Sequence, residues 1–144
     1  MRSQAATHNG TDSLSSELGL PAELSQLAVA RRFATQAAAA FGLDGDGCYE
    51  FVYAVNEAVT NAIRHGLPDE RGLIHVSVSE EADRLTCVVR DCGTFIPPAE
   101  RLATSSEPDV EQGRGLKLMQ ILMDEVQLRT APGSTVVYLS KVRP

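Results

Sequence analysis

In the stretch NEAVTNAIRHG, a carboxylate at Glu57 and a carboxamide at Asn61 stand four positions apart in an otherwise alanine- and valine-rich run. On a helix that spacing puts both side chains on one face, with Cβ atoms roughly 5–6 Å apart. A base and an oxygen donor so placed could act together on one small object. The residues Val52, Val55, Val59 and Ile63 recur at intervals of three and four and are expected to face a core. Glu57 and Asn61 lie off that stripe, with Ala54, Ala58 and His65 on their side, so that small side chains would leave a concave space around two polar ones. The plainer reading is a solvated face carrying an incidental Glu and Asn.

Two further groups of residues invite chemistry. In RLTCVVRD, alternation puts Leu85, Cys87, Val89 and Asp91 on one face of a strand and Thr86, Val88 and Arg90 on the other. Asp91 is therefore expected to point inward, where an unpartnered carboxylate costs several kcal/mol, on the order of 2–7 even for a neutral polar group. Either it caps the turn before Gly93, or a ligand amine donates to it and Gly93 lets the chain approach that ligand closely. In QGRGLKLM, Gly113 and Gly115 directly precede an apolar helix, and unobstructed amides at a helix start form an anion cradle. The same glycines could be simple loop flexibility. The spacing is neither that of a Walker loop nor that of a dinucleotide fingerprint, whose third glycine position holds Leu118.

These groups need elements to hold them. A chain of 144 residues suits one core. Residues 1–14 read as a flexible polar tail and 15–144 as one domain. SSELGL reads as a short edge strand. A first helix carries Leu24, Leu27, Ala28, Arg31, Ala34, Ala38 and Phe41 at helical intervals until Gly42 stops it. A second helix runs from about Cys48 to His65 and is ended by Gly66 and Pro68. LIHVSVS and RLTCVVRD form a hairpin through EEAD, and EVQLRT and STVVYLSKV are strands joined at APG, with the helix GLKLMQILMDEV before them. The proline-, serine- and acid-rich stretch 97–113 is long enough for a lid or binding loop. The order implies an α+β fold, a two-layer sandwich with helices on one face of a mostly antiparallel sheet.

Composition narrows the partners. The net charge of −6 and the lack of a Lys/Arg run argue against direct nucleic-acid binding. No segment reaches the roughly 18 apolar residues of a membrane span. Cys48, Cys87 and Cys92 form no CxxC pair, and the histidines at 8, 65 and 75 lack zinc spacing. Reduced, mostly packed thiols in a cytoplasm are expected.

Taken in chain order, a Glu and Asn on a helix, an inward Asp with a following glycine, and a glycine-rich segment opening a helix resemble the boxes of the GHKL ATPases, whose ATP-binding fold is the Bergerat fold. The wording NEAVTNAIRHG, VVRDCGTFIPP, GRGLKLMQILMDEV and GSTVVYLSK is similar to the bacterial anti-sigma-factor serine/threonine kinases, from about residue 15 to the C-terminus. The resemblance implies Glu57 as general base and Asn61 as the residue holding Mg2+ against the phosphates of ATP. By the same resemblance Asp91, with Gly93 beside it, accepts the adenine amine. Gly113, Arg114 and Gly115 wrap the phosphates, Thr135 reaches the adenine pocket, and His65 lies near the nucleotide.

It further implies a cytoplasmic homodimer that sequesters a sigma factor and phosphorylates a serine of an anti-anti-sigma factor, a STAS-domain protein. The alternative is an ATP-binding regulatory module that sequesters its partner without productive kinase activity. An ATP domain of a histidine kinase is the remoter reading. TFIPP, with Phe95 and two prolines after the DxG motif, departs from the family pattern and implies a stiffer lid hinge.

Overall fold

The alternating segments form five strands, and the alanine-rich segments form helices laid on one side of them. The computed structural model describes residues 14–94 and 110–143, and for residues 14 and 110–114 the backbone alone. The elements are β1 (Leu14–Pro21), a 3-10 turn (Leu24–Gln26), α1 (Leu27–Phe41), α2 (Gly45–His65), β2 (Leu73–Glu81), β3 (Arg84–Asp91), α3 (Val110–Leu122), β4 (Glu125–Ala131) and β5 (Ser134–Val142). The sheet order is β1-β2-β3-β5-β4, with every neighbouring pair antiparallel. The expected α+β sandwich is therefore the observed one. The tail at 1–13 and the lid and hinge residues 95–109 lie outside the described residues.

Each strand sends alternate residues inward. Leu20, Ile74, Val76, Val78, Leu85, Cys87, Val89 and Leu139 are buried under Ala30, Ala34, Ala38 and Phe41 of α1, Phe51, Val55 and Val59 of α2, and Met119 of α3. Burying each large apolar side chain contributes about 1.5–3 kcal/mol. Alanines on α1 and α2 let the two helices approach closely.

Several expectations shift in phase. The first helix opens with a 3-10 turn, which has three residues per turn instead of 3.6. The buried face of α1 runs through Ala30, Ala34, Ala38 and Phe41 at intervals of three and four, which leaves Ala28 and Arg31 of the same helix exposed, and Leu24 of the 3-10 turn is exposed as well. Gly42 ends α1 in the left-handed region, at φ 97°. α2 begins at Gly45 instead of Cys48, because Asp44 caps it by accepting from the Gly47 amide at 2.7 Å.

On α2 the buried face is wider than the valine stripe. It comprises Phe51, Ala54, Val55, Ala58, Val59 and Ala62, with Val52 and Ile63 half-buried at its flanks. α2 contacts α1, α3 and three strands, so a single narrow stripe could not cover it. Ala54 accordingly belongs to the core and not to a concave space beside Glu57.

Polar ties close the sandwich at the end away from Asp91. Lys141 Nζ donates to Leu122 O at 2.7 Å and pairs with Glu50 at 2.6 Å, joining β5 to the end of α3 and the start of α2. Arg143 stacks on Phe41 at 4.1 Å and donates to Phe41 O, satisfying a carbonyl at the C-terminal end of α1. Among the cysteines, Cys87 is buried and its thiol is pushed up to about 12 by that burial. Cys48 is half-buried, and Cys92 is the exposed one, in the turn after β3. Among the described residues, no helix is long and apolar enough to cross a membrane.

Candidate functional site

Asp91 ends β3 on the inward face, with 6% of its surface exposed. Its Oδ1 accepts from the Gly93 amide at 2.7 Å and, at the longer distance of 3.4 Å, from Leu67 N. The turn-capping role read from the sequence is thus performed by one oxygen. Among the described residues nothing donates to Oδ2. Burial holds the carboxyl above the usual aspartate range, and the two backbone amides oppose that shift. A buried acceptor with one uncommitted oxygen suits an N–H donor from outside the chain.

Two glycines make this placement possible. Gly66 ends α2 as expected, and it does so in an extended conformation, at φ −96°, instead of a left-handed one. A Cβ there would stand 2.5 and 2.6 Å from the two Asp91 oxygens. At Gly93 a Cβ would meet Asp91 Oδ1, Gly66 Cα and Leu67 N, each at 3.1 Å. The close approach that Gly93 allows is therefore by the end of α2. Thr135 sits opposite Asp91 in the β3–β5 register and donates to Gly93 O at 2.8 Å, pinning the same turn from the other side.

Above this floor lies a pocket of about 440 Å³ including its open mouth. Its polar groups are Asn61, His65, Asp91 and Thr135. Its walls are Ala58, Ala62 and Gly66 of the α2 side, Leu116 and Met119 of α3, and Val89, Leu128 and Val137 of the sheet. Apolar walls with few polar groups suit a flat heteroaromatic ring bearing one donor.

Beside it runs a second, open groove lined by Tyr53, Glu57, Thr60, Asn61, Arg64, Gly115 and Leu118. Asn61 borders both spaces, so the carboxamide stands between the apolar pocket and the Glu57 carboxylate. Glu57 and Asn61 are each half-buried, and His65, in the last turn of α2, is exposed. An arginine, an amide and a carboxylate around open space fit an anionic group with a hard cation that keeps several of its waters. Among the described residues, no group of three or more His, Cys, Asp or Glu could hold a metal by itself.

The glycine-rich segment differs from its expected form. Gly113, Arg114 and Gly115 lie within α3, which begins at Val110, and not in a loop before it. From the fifth helical residue onward, Arg114 and Gly115 included, the amides bond backwards along the helix, and Gly113, the fourth, keeps a free amide at the helix start. Glycine costs about 1 kcal/mol in a helix, which is why the pair reads as loop. Packing explains Gly115: a Cβ there would lie 2.8 Å from Glu57 Oε2 and 3.7 Å from Asn61 Nδ2. The residue brings α3 directly against the polar face of α2.

Some contributors escaped the sequence reading. Gly66 was expected only to stop a helix, and Met119, read as core filler, is also a pocket wall. Leu116 and Leu128 come from the consecutive elements α3 and β4, and no local signal marks them as pocket walls. Asp69 organises the segment that follows Gly66: its Oδ1 accepts from Arg71 N at 2.8 Å and Leu73 N at 3.0 Å, and its Oδ2 meets His75 Nε2 at 2.6 Å. The His75 contact and these amides pull its carboxyl from 3.8 down to about 2. The turn cluster LPDERG was its only signal.

Comparison with known proteins bears on the family and the fold. The profile of the histidine kinase-like ATPase domain matches residues 20–141. The serine-protein kinase RsbW of Bacillus velezensis is 33% identical over 129 residues, covering 83% of this chain and 81% of the relative. The anti-sigma F factor of Geobacillus stearothermophilus is 38% identical over 102 residues, 67% of this chain and 70% of the relative. Among solved structures, the RsbU and RsbW domains of a Mycobacterium tuberculosis protein superpose with a TM-score of 0.66 at 21% identity. That match covers 90% of this chain but only 33% of the longer one, and at that identity it supports the fold alone.

Proposed function

The chain belongs to the histidine kinase-like ATPase domain family, among its bacterial anti-sigma-factor serine kinases, and from that premise we propose that it is a magnesium- and ATP-dependent kinase that sequesters a sigma factor and phosphorylates a serine of a STAS-domain anti-anti-sigma protein. In this reading the adenine occupies the apolar pocket and its amine donates to Asp91 Oδ2. Gly93 and Thr135 hold that acceptor in place, and His65 borders the same pocket. Asn61 holds the cation where the pocket opens into the groove, and Gly113, Arg114 and Gly115 meet the phosphates from the α3 side. Magnesium, when bound, supplies neutralisation of phosphate charge and alignment of the transferred group.

Glu57 takes the proton of the acceptor serine. The serine oxygen forms a bond to the terminal phosphorus as the bond from that phosphorus to the bridging oxygen breaks. ADP leaves with that electron pair. Positioning and charge neutralisation account for most of such catalysis, since the protein forms no covalent bond itself.

The observation that carries this reading is the position of Asn61, which borders both the pocket floored by Asp91 and the groove holding Glu57. The test is incubation with ATP labelled on the terminal phosphate and the STAS-domain proteins of the same cell. Label on a serine supports the kinase. Nucleotide binding without label would leave an ATP-binding module that works by sequestration alone. The same reading makes the chain a cytoplasmic homodimer, which sedimentation of the purified protein tests.

A further inference from the structure

Three tyrosines occur in the chain, and two of them, Tyr49 and Tyr53, are exposed on the same side of α2. Tyr49 is 68% exposed and Tyr53 37%, with ring centroids 6.2 Å apart. Tyr49 lies outside the site described above, and Tyr53 lines the groove that holds Glu57. Leu118 of α3 faces Tyr53 across that groove. Gly115 lies against Glu57 and Asn61, whereas Leu118, further along α3, shares the groove with Tyr53, which comes earlier on α2. The two helices therefore run in opposite directions here. One turn further on, Ile121 is 70% exposed, and the antiparallel course of the helices, tied where Lys141 meets both Leu122 O and Glu50, carries it toward the Tyr49 end of α2. The result is an apolar strip of Tyr53, Leu118, Tyr49 and Ile121 leading out of the groove.

Single exposed apolar residues are ordinary, but a contiguous strip leading away from a catalytic base is not. We propose that this strip is the docking surface for the phosphoacceptor protein, whose serine enters the groove toward Glu57 while an apolar side chain of the same protein seats between Tyr49, Tyr53 and Ile121. The inference rests on the kinase reading above. It follows from continuity: among the described residues, Glu57 opens onto the groove it shares with Tyr53, Thr60 and Leu118, which offers a hydroxyl an approach to it beside the adenine's pocket. Tyrosines suit the purpose, since they supply large rigid contact area at small entropic cost and dominate the binding energy of many protein interfaces. A second copy of the chain seated on the same strip would cover the groove mouth and bar the acceptor.

The test uses the full chain with Tyr49→Glu and Ile121→Glu made separately, both at exposed positions. The acceptor is the STAS-domain protein that takes label from the unaltered chain. Expected for each variant is at least a tenfold rise in KM for the acceptor, with kcat at saturating acceptor, ATP affinity and sedimentation unchanged. An unchanged acceptor KM in both variants overturns the docking surface while leaving the kinase reading intact. So does dissociation of a dimer without change in acceptor KM, which would assign the strip to a second copy. If the unaltered chain labels no acceptor, the kinase reading fails first and the docking inference with it.

Discussion

Gly66 and Asp91 are in such close contact that any side chain at position 66 would occupy the space of the Asp91 carboxylate, with a Cβ 2.5 Å from its Oδ1. The residue that ends α2 and the residue that ends β3 thus share one space. Gly66→Ala should therefore displace the carboxylate, lowering stability by about 1–3 kcal/mol, as overpacking does, and weakening nucleotide binding with it. Denaturant unfolding and calorimetry with ATP measure the two effects. An unchanged ATP affinity would separate Asp91 from the nucleotide.

Asp91→Asn isolates the second oxygen. The amide oxygen still accepts from Gly93, but the other position becomes a donor, which in the proposed reading faces the adenine amine. A hydrogen bond to a charged group contributes about 1.5–3 kcal/mol, so ATP affinity should fall about 10- to 100-fold. Thermal stability should hold or rise, because a buried carboxylate is removed.

Glu57→Ala should lower the rate of phosphate transfer by about 10²–10⁴ while ATP affinity stays within a few-fold of the original. Gly115→Ala provides a subtler test of the same group, since its Cβ would press on Glu57 Oε2. Removing a helical glycine favours the helix by about 0.5–1 kcal/mol, so stability should not fall while transfer slows. Unimpaired transfer in Gly115→Ala would show that the placement of Glu57 against α3 is immaterial.

Acid should act through two aspartates with opposite signs. Asp69 is held down at about 2, against an ordinary 3.8, so its pairing with His75 and the Leu73 and Arg71 amides stabilises the fold above pH 3.8 and is lost as pH falls toward 2. Asp69→Asn should flatten that part of the acid unfolding profile. Asp91 is raised by burial, so its ionised form costs stability at neutral pH, and the cost is relieved as pH falls through its elevated value. Nucleotide binding should weaken over that same interval, beginning at a higher pH than an ordinary aspartate would allow. In Asp91→Asn this dependence should be absent.

Much of the fold was legible because it rests on local periodicity. The alternation in LIHVSVS and RLTCVVRD required strands with one buried face, and it aimed Asp91 inward before any tertiary contact was known. The interval of four between Glu57 and Asn61 placed both on one side of α2 for the same reason. Residues 110–115 were harder to read. Glycine's cost in a helix argues for a loop, and only contact with Glu57 accounts for Gly115 inside one.

By itself the sequence determined which residue types stand at which intervals, and hence the elements, their inward faces and the order of the polar groups along the chain. Folding alone decided which of those groups meet. The β3–β5 register sets Thr135 opposite Asp91, the end of α2 supplies Leu67 N and Gly66 to the same carboxylate, and α3 closes both cavities with Leu116, Met119 and Gly115. Such contacts join residues separated by tens of positions. They depend on shape and close packing between elements, which no local periodicity encodes.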